Sequence, residues 1–253
     1  MSEPNKLFSV KDRVVIITGG AGILGRQYVE ALSSAGAKVV VWDKAQGLDI
    51  TDESAVKEAV AKIVKDFGQI DALVNNAAMN LAVDDPAQAQ VSVPYEEYPI
   101  DLWDRELKVN LTGMMICIKS VSPTMITARR GSIVNVASEL SVIAHDRRVY
   151  NDATGRRFKS IAYPTTKAGV LGLTRQWAAR LGEHNVRVNA LSPSGMHMPG
   201  QPADFVERYG ATTMFGRMAE LGEYNGVLLF LCSDASSYMT AHNLIVDGGR
   251  SAW

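Results

Sequence analysis

Val14-Val15-Ile16-Ile17-Thr18-Gly19-Gly20-Ala21-Gly22-Ile23-Leu24-Gly25 is the stretch that decides the architecture of the chain. A short β-branched run that ends in glycines has the profile of a buried parallel strand. Gly20, Gly22 and Gly25 fit G-x-G-x-x-G between that strand and a helix predicted over 23–35, which Gly36 closes. Bare glycines let the backbone approach a pyrophosphate, and the free N–H groups of a helix start bind its charge. Gly19, Gly22, Ile23, Leu24 and Gly25 are therefore the first candidate cofactor contacts.

Outward from this turn the chain alternates strand and helix. Lys38–Trp42 is a second strand, and Asp43 closes it 18 residues after Gly25. A carboxylate at about that spacing accepts hydrogen bonds from the adenosine ribose and repels a 2′-phosphate, which favours NAD over NADP. Lys44 is a counter-signal, because a basic residue there could meet a phosphate. Asp49 and Ile50 are candidates for the adenine side, although Asp49 could equally cap the next helix. Val56, Ala59, Val60, Ile63, Val64 and Phe67 recur at helical spacing over 52–67, with Gly68 as the stop. Further strands are predicted at 72–74, 132–136, 186–191 and 244–246, and helices at 101–127, from Tyr163 to Gly182, and at 218–232. This rhythm predicts an α/β fold with a doubly wound, mostly parallel sheet in a single domain over 1–253. Three segments break it: 78–100, 139–160 and 192–217. Each follows a strand, so all three are expected at the carboxyl edge of the sheet, where such folds bind ligands.

Composition excludes several classes. With 47% hydrophobic and 21% charged residues the chain reads as an ordinary globule, and a net charge of -1 gives no field to attract nucleic acid or membrane. Cys117 and Cys232 both lie in apolar helical stretches, which suits buried free thiols in a reducing compartment. No apolar run is read as a membrane span, and the polar opening residues do not resemble a signal peptide, so the cytoplasm is expected. The four histidines, His145, His184, His197 and His242, show no metal-ligand spacing, and no metal is expected.

Tyr163-Pro-Thr-Thr-Lys167 sets a phenol and an ammonium four residues apart on one helix face. A free tyrosine has a pKa near 10, too high for a base at neutral pH. An adjacent ammonium and a cationic nicotinamide both favour the phenolate, and a shift of three units requires about 4 kcal/mol. This pair, the T-G-G-x-G-x-x-G turn, Asn75-Asn76-Ala77-Ala78, Asn110, Ser138 and Val246-Asp247-Gly248-Gly249 occur in an order and spacing that resemble the classical short-chain dehydrogenase/reductase family over essentially the whole chain.

The resemblance implies a Rossmann-type fold and a hydride transfer between NAD and a secondary alcohol or its ketone. It implies Tyr163 as general acid/base, Ser138 on the substrate oxygen, Lys167 on the nicotinamide ribose and the tyrosine pKa, and Asn110 in a proton relay. Asn76, Ala77, Ala78, Pro193 and Gly195 would line the cofactor together with Tyr163 and Lys167, and Asp71 would lie near the adenine. A homotetramer, or a homodimer, is also implied. The chain departs from the family pattern at Ile23, at Ala78, and at Ser192-Pro193-Ser194-Gly195.

Ser138 and Tyr163 stand 25 residues apart, about double the gap usual in the family, although both must reach one oxygen. The insertion carries Arg147, Arg148, Arg156, Arg157 and Lys159 against Asp146 and Asp152. Arginine recognises carboxylate or phosphate bidentately, so Arg147 and Arg148, with Ser138 and Tyr163, are candidates for an anionic small-molecule substrate. A solvated or subunit-contact loop is the other reading. D-R-R-V-Y, P-Y-E-E-Y-P and V-D-G-G-R-S-A-W resemble a bacterial branch of the family acting on sugar acids, polyols or sugars. Met196, Met198, Met214 and Phe215 suggest a lid over the substrate. A 3-oxoacyl or ketone reductase and a non-catalytic NAD-sensing protein are the alternatives. Asp43 argues against the first, and the intact Asn110, Ser138, Tyr163 and Lys167 argue against the second.

Overall fold

The computed structural model describes residues 4–80, 93–152, 155–156 and 159–253. After a single helical turn, α1 (Pro4–Leu7), come β1 (Val14–Thr18), α2 (Ile23–Ser34), β2 (Lys38–Trp42), α3 (Glu53–Phe67) and β3 (Ala72–Asn75). A long helical run follows, made of α4 (Ile100–Leu107), a wide-turn π segment at Lys108–Gly113, and α5 (Met114–Ala128). Then come β4 (Gly131–Val136), a small hairpin of β5 (Asn151–Asp152) and β6 (Gly155–Arg156), and α6 (Ala162–Leu181). β7 (Val186–Pro193), α7 (Ala203–Gly210), α8 (Asn225–Cys232) and β8 (Asn243–Val246) complete the chain.

Six strands form one parallel sheet in the order β2-β1-β3-β4-β7-β8, the Rossmann-like doubly wound arrangement expected. Because side chains alternate across a strand, Ile16, Leu73, Ile133 and Val188 face α3, α5 and α6. Val15, Ile17, Val74, Val134 and Leu191 face α2 and α8. Register sets the edge that matters: Thr18 lies opposite both Trp42 and Asn75, and Asn75 opposite Asn135. The ends of four strands therefore stand in one row, and the loops that follow them leave from the same edge.

The common Rossmann order places a further strand outside β2. Here β2 is the edge, because the chain passes from it to α3 through one short turn, Lys44–Gln46. Positions 43–52 are too few for a crossover, which needs about a dozen residues or more.

Other elements differ from expectation for local reasons. Helix 218–232 is shortened to Asn225–Cys232, because Gly222 turns into the left-handed region (φ 89°) and Ala219 bridges to Met196. The segment 192–217 contains α7, a short amphipathic helix whose Phe205, Val206 and Tyr209 pack on one face. Ile100–Ala128 is one continuous helix long and apolar enough to cross a membrane, contrary to the expectation that no run approaches that length. Half of its most apolar window is buried within the fold, with Met114, Ile118, Val121 and Met125 in the core, as for the central helix of a globular protein. Cys117 and Cys232 are buried free thiols, and burial pushes both up to about 12.

Candidate active site

The glycine turn is held from beneath by β3. The Asn76 amide donates to the carbonyls of Thr18 and Gly19, both at 3.1 Å, and the Asn76 and Ala77 N–H groups donate to Thr18 Oγ1 at 3.0 Å. Gly19 is left-handed (φ 65°), and a Cβ there would stand 2.7 Å from Ala77 Cα. A Cβ on Gly25 would stand 2.1 Å from the Gly19 carbonyl oxygen. Only glycine lets the start of α2 close onto the turn. Gly22 is the N-cap residue of α2 and gives no side-chain cap, so the amides of Ile23, Leu24 and Gly25 form an open helix N-terminus at the carboxyl edge. This cradle fits a dinucleotide pyrophosphate.

Asp43 stands beside the cradle. Its Oδ2 accepts from Ala21 N at 3.0 Å and its Oδ1 from Ala45 N at 2.9 Å. An ionised carboxylate has about four acceptor positions, so both oxygens keep capacity for a ribose diol. Lys44 is turned to Asp49 (2.9 Å). Hydrogen bonds from Thr51 and that lysine hold the Asp49 carboxyl down to about 2. The cap of α3 is Asp52, which accepts from Ser54 N and Ala55 N, so Asp49 does not cap it. Ile50 is buried under Gly113 of the π segment, where a Cβ would press on it at 2.8 Å. Asp71 is a correction. It accepts from Val14 N and Gln69 and pairs with Arg130, at the start of β3. That is the amino edge, opposite the adenine end, and its task is to tie strand starts together.

Tyr163 and Lys167 lie on the first turns of α6, and Ser138 follows β4. The Lys167 ammonium, buried, donates to the Val136 carbonyl at 2.7 Å and sits 5.5 Å from the Tyr163 ring centroid. Burial lowers Lys167 to about 8. Burial pushes the Tyr163 phenol well above the ordinary tyrosine value, the charge of Glu139 adds to the rise, and a hydrogen bond with Ser138 partly offsets it. Ser138 Oγ also donates to Glu139 Oε2 at 3.1 Å and accepts from Leu140 N. Asn110, in the π segment, exchanges hydrogen bonds with the Met79 backbone at 2.7 and 3.1 Å and donates to Thr166 Oγ1 at 3.0 Å. The fold thus gathers Ser138, Tyr163 and Lys167 in one place, and it ties Asn110 to the chain leaving β3.

The basic insertion takes an arrangement that its sequence does not suggest. Arg148 is 88% exposed at its side chain and forks onto Asp146, and Arg147 is exposed as well. The Arg148 guanidinium is thus held by Asp146 at the surface of the insertion. Arg157, Ala153, Thr154 and the side chain of Arg156 lie outside the described residues, as do 81–92 of the first loop. The site also contains groups the sequence did not single out. Glu139, 3% exposed, accepts at Oε1 from Arg250 Nη1 (2.7 Å) and Tyr209 Oη (2.9 Å). Tyr209 Oη in turn accepts from Gly195 N at 2.7 Å, and a Cβ on Gly195 would collide with that ring at 2.5 Å. Gly195, two residues past the end of β7 at Pro193, is therefore required by Tyr209. Nothing in a linear pattern marks a glutamate as buried, and Arg250 lies 111 residues from its partner.

A family model described as enoyl-(acyl carrier protein) reductase matches residues 43–251. The chain is 31% identical to the cis-4-hydroxycyclohexanecarboxylate dehydrogenase of Sinomonas cyclohexanicum, over 95% of this chain and 97% of that one. A short chain dehydrogenase of Leptospira borgpetersenii with bound NAD+ superposes with a TM-score of 0.84 at 28% identity, covering 99% of this chain and 97% of that one. A gluconate 5-dehydrogenase of Burkholderia cenocepacia, in complex with NADP and tartrate, superposes with a TM-score of 0.84 at 25% identity, covering 99% and 100%. Matched along nearly its whole length in both sequence and fold, the chain belongs to the short-chain dehydrogenase/reductase family of oxidoreductases.

Proposed function

We propose that the protein is an NAD-dependent dehydrogenase that interconverts a secondary alcohol and a ketone on a hydroxylated small molecule of the sugar, polyol or sugar-acid class. The observation that carries this reading is the convergence of Ser138, Tyr163 and Lys167 beside the glycine cradle. In alcohol oxidation Ser138 holds the substrate oxygen, the Tyr163 phenolate takes the hydroxyl proton, and the Lys167 charge favours that phenolate. A bound nicotinamide would supply the hydride acceptor and, when oxidised, a positive charge next to the phenol. Asn110 orders the chain at Met79 and touches the helix of Tyr163 through Thr166. In the reverse direction the buried phenol is the proton donor, the state that its raised pKa favours.

Related structures hold either NAD or NADP. For this chain, Asp43 supports NAD, because a carboxylate anchored on the glycine turn repels a 2′-phosphate and Lys44 is occupied by Asp49. We read residues 1–253 as one catalytic domain that works in the cytoplasm as a homotetramer. Its exposed Ile100, Phe215, Tyr238 and Trp253 support assembly, and its two free cysteines support the compartment. The test is NADH formation on a panel of polyols, sugar acids and cyclic alcohols, with kcat/KM measured for both cofactors. Turnover of none of them, or a tenfold preference for NADP, overturns the reading.

A further inference from the structure

Behind Ser138 lies a group of cationic and imidazole side chains whose hydrogen-bonding capacity is not used up. Arg250 is inside the fold, its side chain 3% exposed, with its guanidinium stacked 4.5 Å over the Tyr209 ring. Its Nη1 serves Glu139 and Tyr209, whereas its Nη2 is buried with no hydrogen-bond acceptor among the described residues. His145 meets Tyr150 edge-on at 5.6 Å, and both of its ring nitrogens are likewise buried without a partner. The Lys159 ammonium lies 5.2 Å from the centroid of the same Tyr150 ring. One aromatic row joins the three, because His145 and Lys159 lie on Tyr150, Tyr150 packs on Phe205, and Phe205 packs on the Tyr209 ring under Arg250.

The acids nearby do not cancel these cations. Glu139 faces both Arg250 and Lys159. Asp146 is already forked by Arg148. Buried Arg250 and half-buried Lys159 therefore share one carboxylate, and several N–H donors have no acceptor among the described residues. Buried donors and charges are normally satisfied, so several unmatched ones in one place call for a partner such as a ligand, an ion or an ordered water.

We propose that Arg250 Nη2, His145 and Lys159 form a subsite for the carboxylate of a hydroxy-acid substrate. This deepens the dehydrogenase reading above and rests on it. The position suits it: Glu139 touches Arg250 with one oxygen and Ser138 with the other, so the Arg250 guanidinium is joined to the serine through a single carboxylate. One surplus positive charge matches a monoanion better than a phosphate dianion. The aromatic wall of Tyr150, Phe205 and Tyr209, with centroids 6.0 and 5.9 Å apart, suits the apolar body of a compact substrate. The anion-reading task that the sequence assigned to Arg147 and Arg148 thus passes to residues deeper in the fold.

The test compares matched acids and neutral analogues in the presence of NAD. Cyclohexanecarboxylate is set against cyclohexanecarboxamide, and gluconate against glucitol, by calorimetric binding and by competition with a turned-over alcohol. The acid of at least one pair is expected to bind about tenfold tighter, the value of one or two charge-assisted hydrogen bonds. Lys159→Gln and His145→Gln should each shrink that ratio severalfold, and Arg250→Lys should shrink it as well. If Arg250→Lys fails to fold, the first two variants decide. Equal binding of acid and neutral partner in both pairs, binding of neither acid, or an unchanged ratio in Lys159→Gln and His145→Gln overturns the subsite. Failure of NAD to bind, or absence of turnover on every neutral alcohol and acid, would instead overturn the dehydrogenase reading.

Discussion

Tyr163 illustrates how one residue carries two opposed demands. Burial holds its phenol in the protonated form, and only nearby positive charge releases the proton. Tyr163→Phe keeps the ring and removes the proton-transfer group, so turnover should fall by about 10² to 10⁴-fold while NAD binding persists. Cofactor titration by fluorescence beside steady-state assays measures both. The pH dependence has a definite sign: alcohol oxidation needs the deprotonated base and should rise with pH, whereas ketone reduction needs the phenol and should decline. Parallel profiles in the two directions would contradict the assignment. His145 gives a separate stability signature. Burial, then the charges of Lys159 and Arg250, lower it from 6.5 to about 4. The unfolded chain therefore binds this proton first, so the stability linked to neutral His145 is complete above pH 6.5 and is lost as pH falls toward 4. The loss should be on the order of 3 kcal/mol, and His145→Gln should flatten it in urea titrations at pH 7 and pH 4.5.

At the scale of elements, the helical run Ile100–Ala128 does more than fill one face of the sheet. Its π segment, Lys108–Gly113, widens the turn where Asn110 must face inward, and such insertions often mark functional positions. From there the Asn110 amide holds both backbone groups of Met79, at the mouth of the loop after β3. Asn110→Ala would leave those groups and Thr166 short of partners. We expect a cost of about 1–3 kcal/mol for each buried group stranded, read by denaturant unfolding, together with reduced kcat. Wild-type stability with normal kcat would show that Asn110 merely occupies space. Gly22 and the open start of α2 make the complementary case, in which an element is left uncapped at the end that faces a ligand.

Across the whole molecule, the chain's last residues return to its centre. Arg250 bonds Glu139 after β4, Tyr209 on α7 joins them, and the Thr213 to Phe215 turn packs on Gly248 and Gly249. Removing one member of a buried charge pair costs about 3–5 kcal/mol, because the other is stranded. Arg250→Ala should therefore lower global stability by roughly that amount, and a double variant with Glu139→Gln should recover part of it. Urea denaturation of the single and double variants measures both. If Arg250→Ala costs less than about 1 kcal/mol, the pair is not the clamp described.

The sequence by itself determined the alternation of strands and helices, the glycine cradle with Asp43, and the pairing of Tyr163 with Lys167. Each rests on short-range rules: a period of two or of 3.6, a turn that only glycine allows, two residues one helical turn apart. It also contained the missing crossover after β2, since the count of residues between Trp42 and Glu53 admits no further strand. Tertiary structure alone decided the rest. It placed Asp71 at the amino edge, turned Arg148 outward onto Asp146, and ended the predicted helix 218–232 at a left-handed glycine. Above all, it brought Arg250 to Glu139 beside Ser138, and packed His145 and Lys159 on Tyr150. The physical reason is that charge type and spacing along a chain say which groups are able to pair, whereas burial and distance, which set the strength of a pairing, exist only once the sheet has assembled.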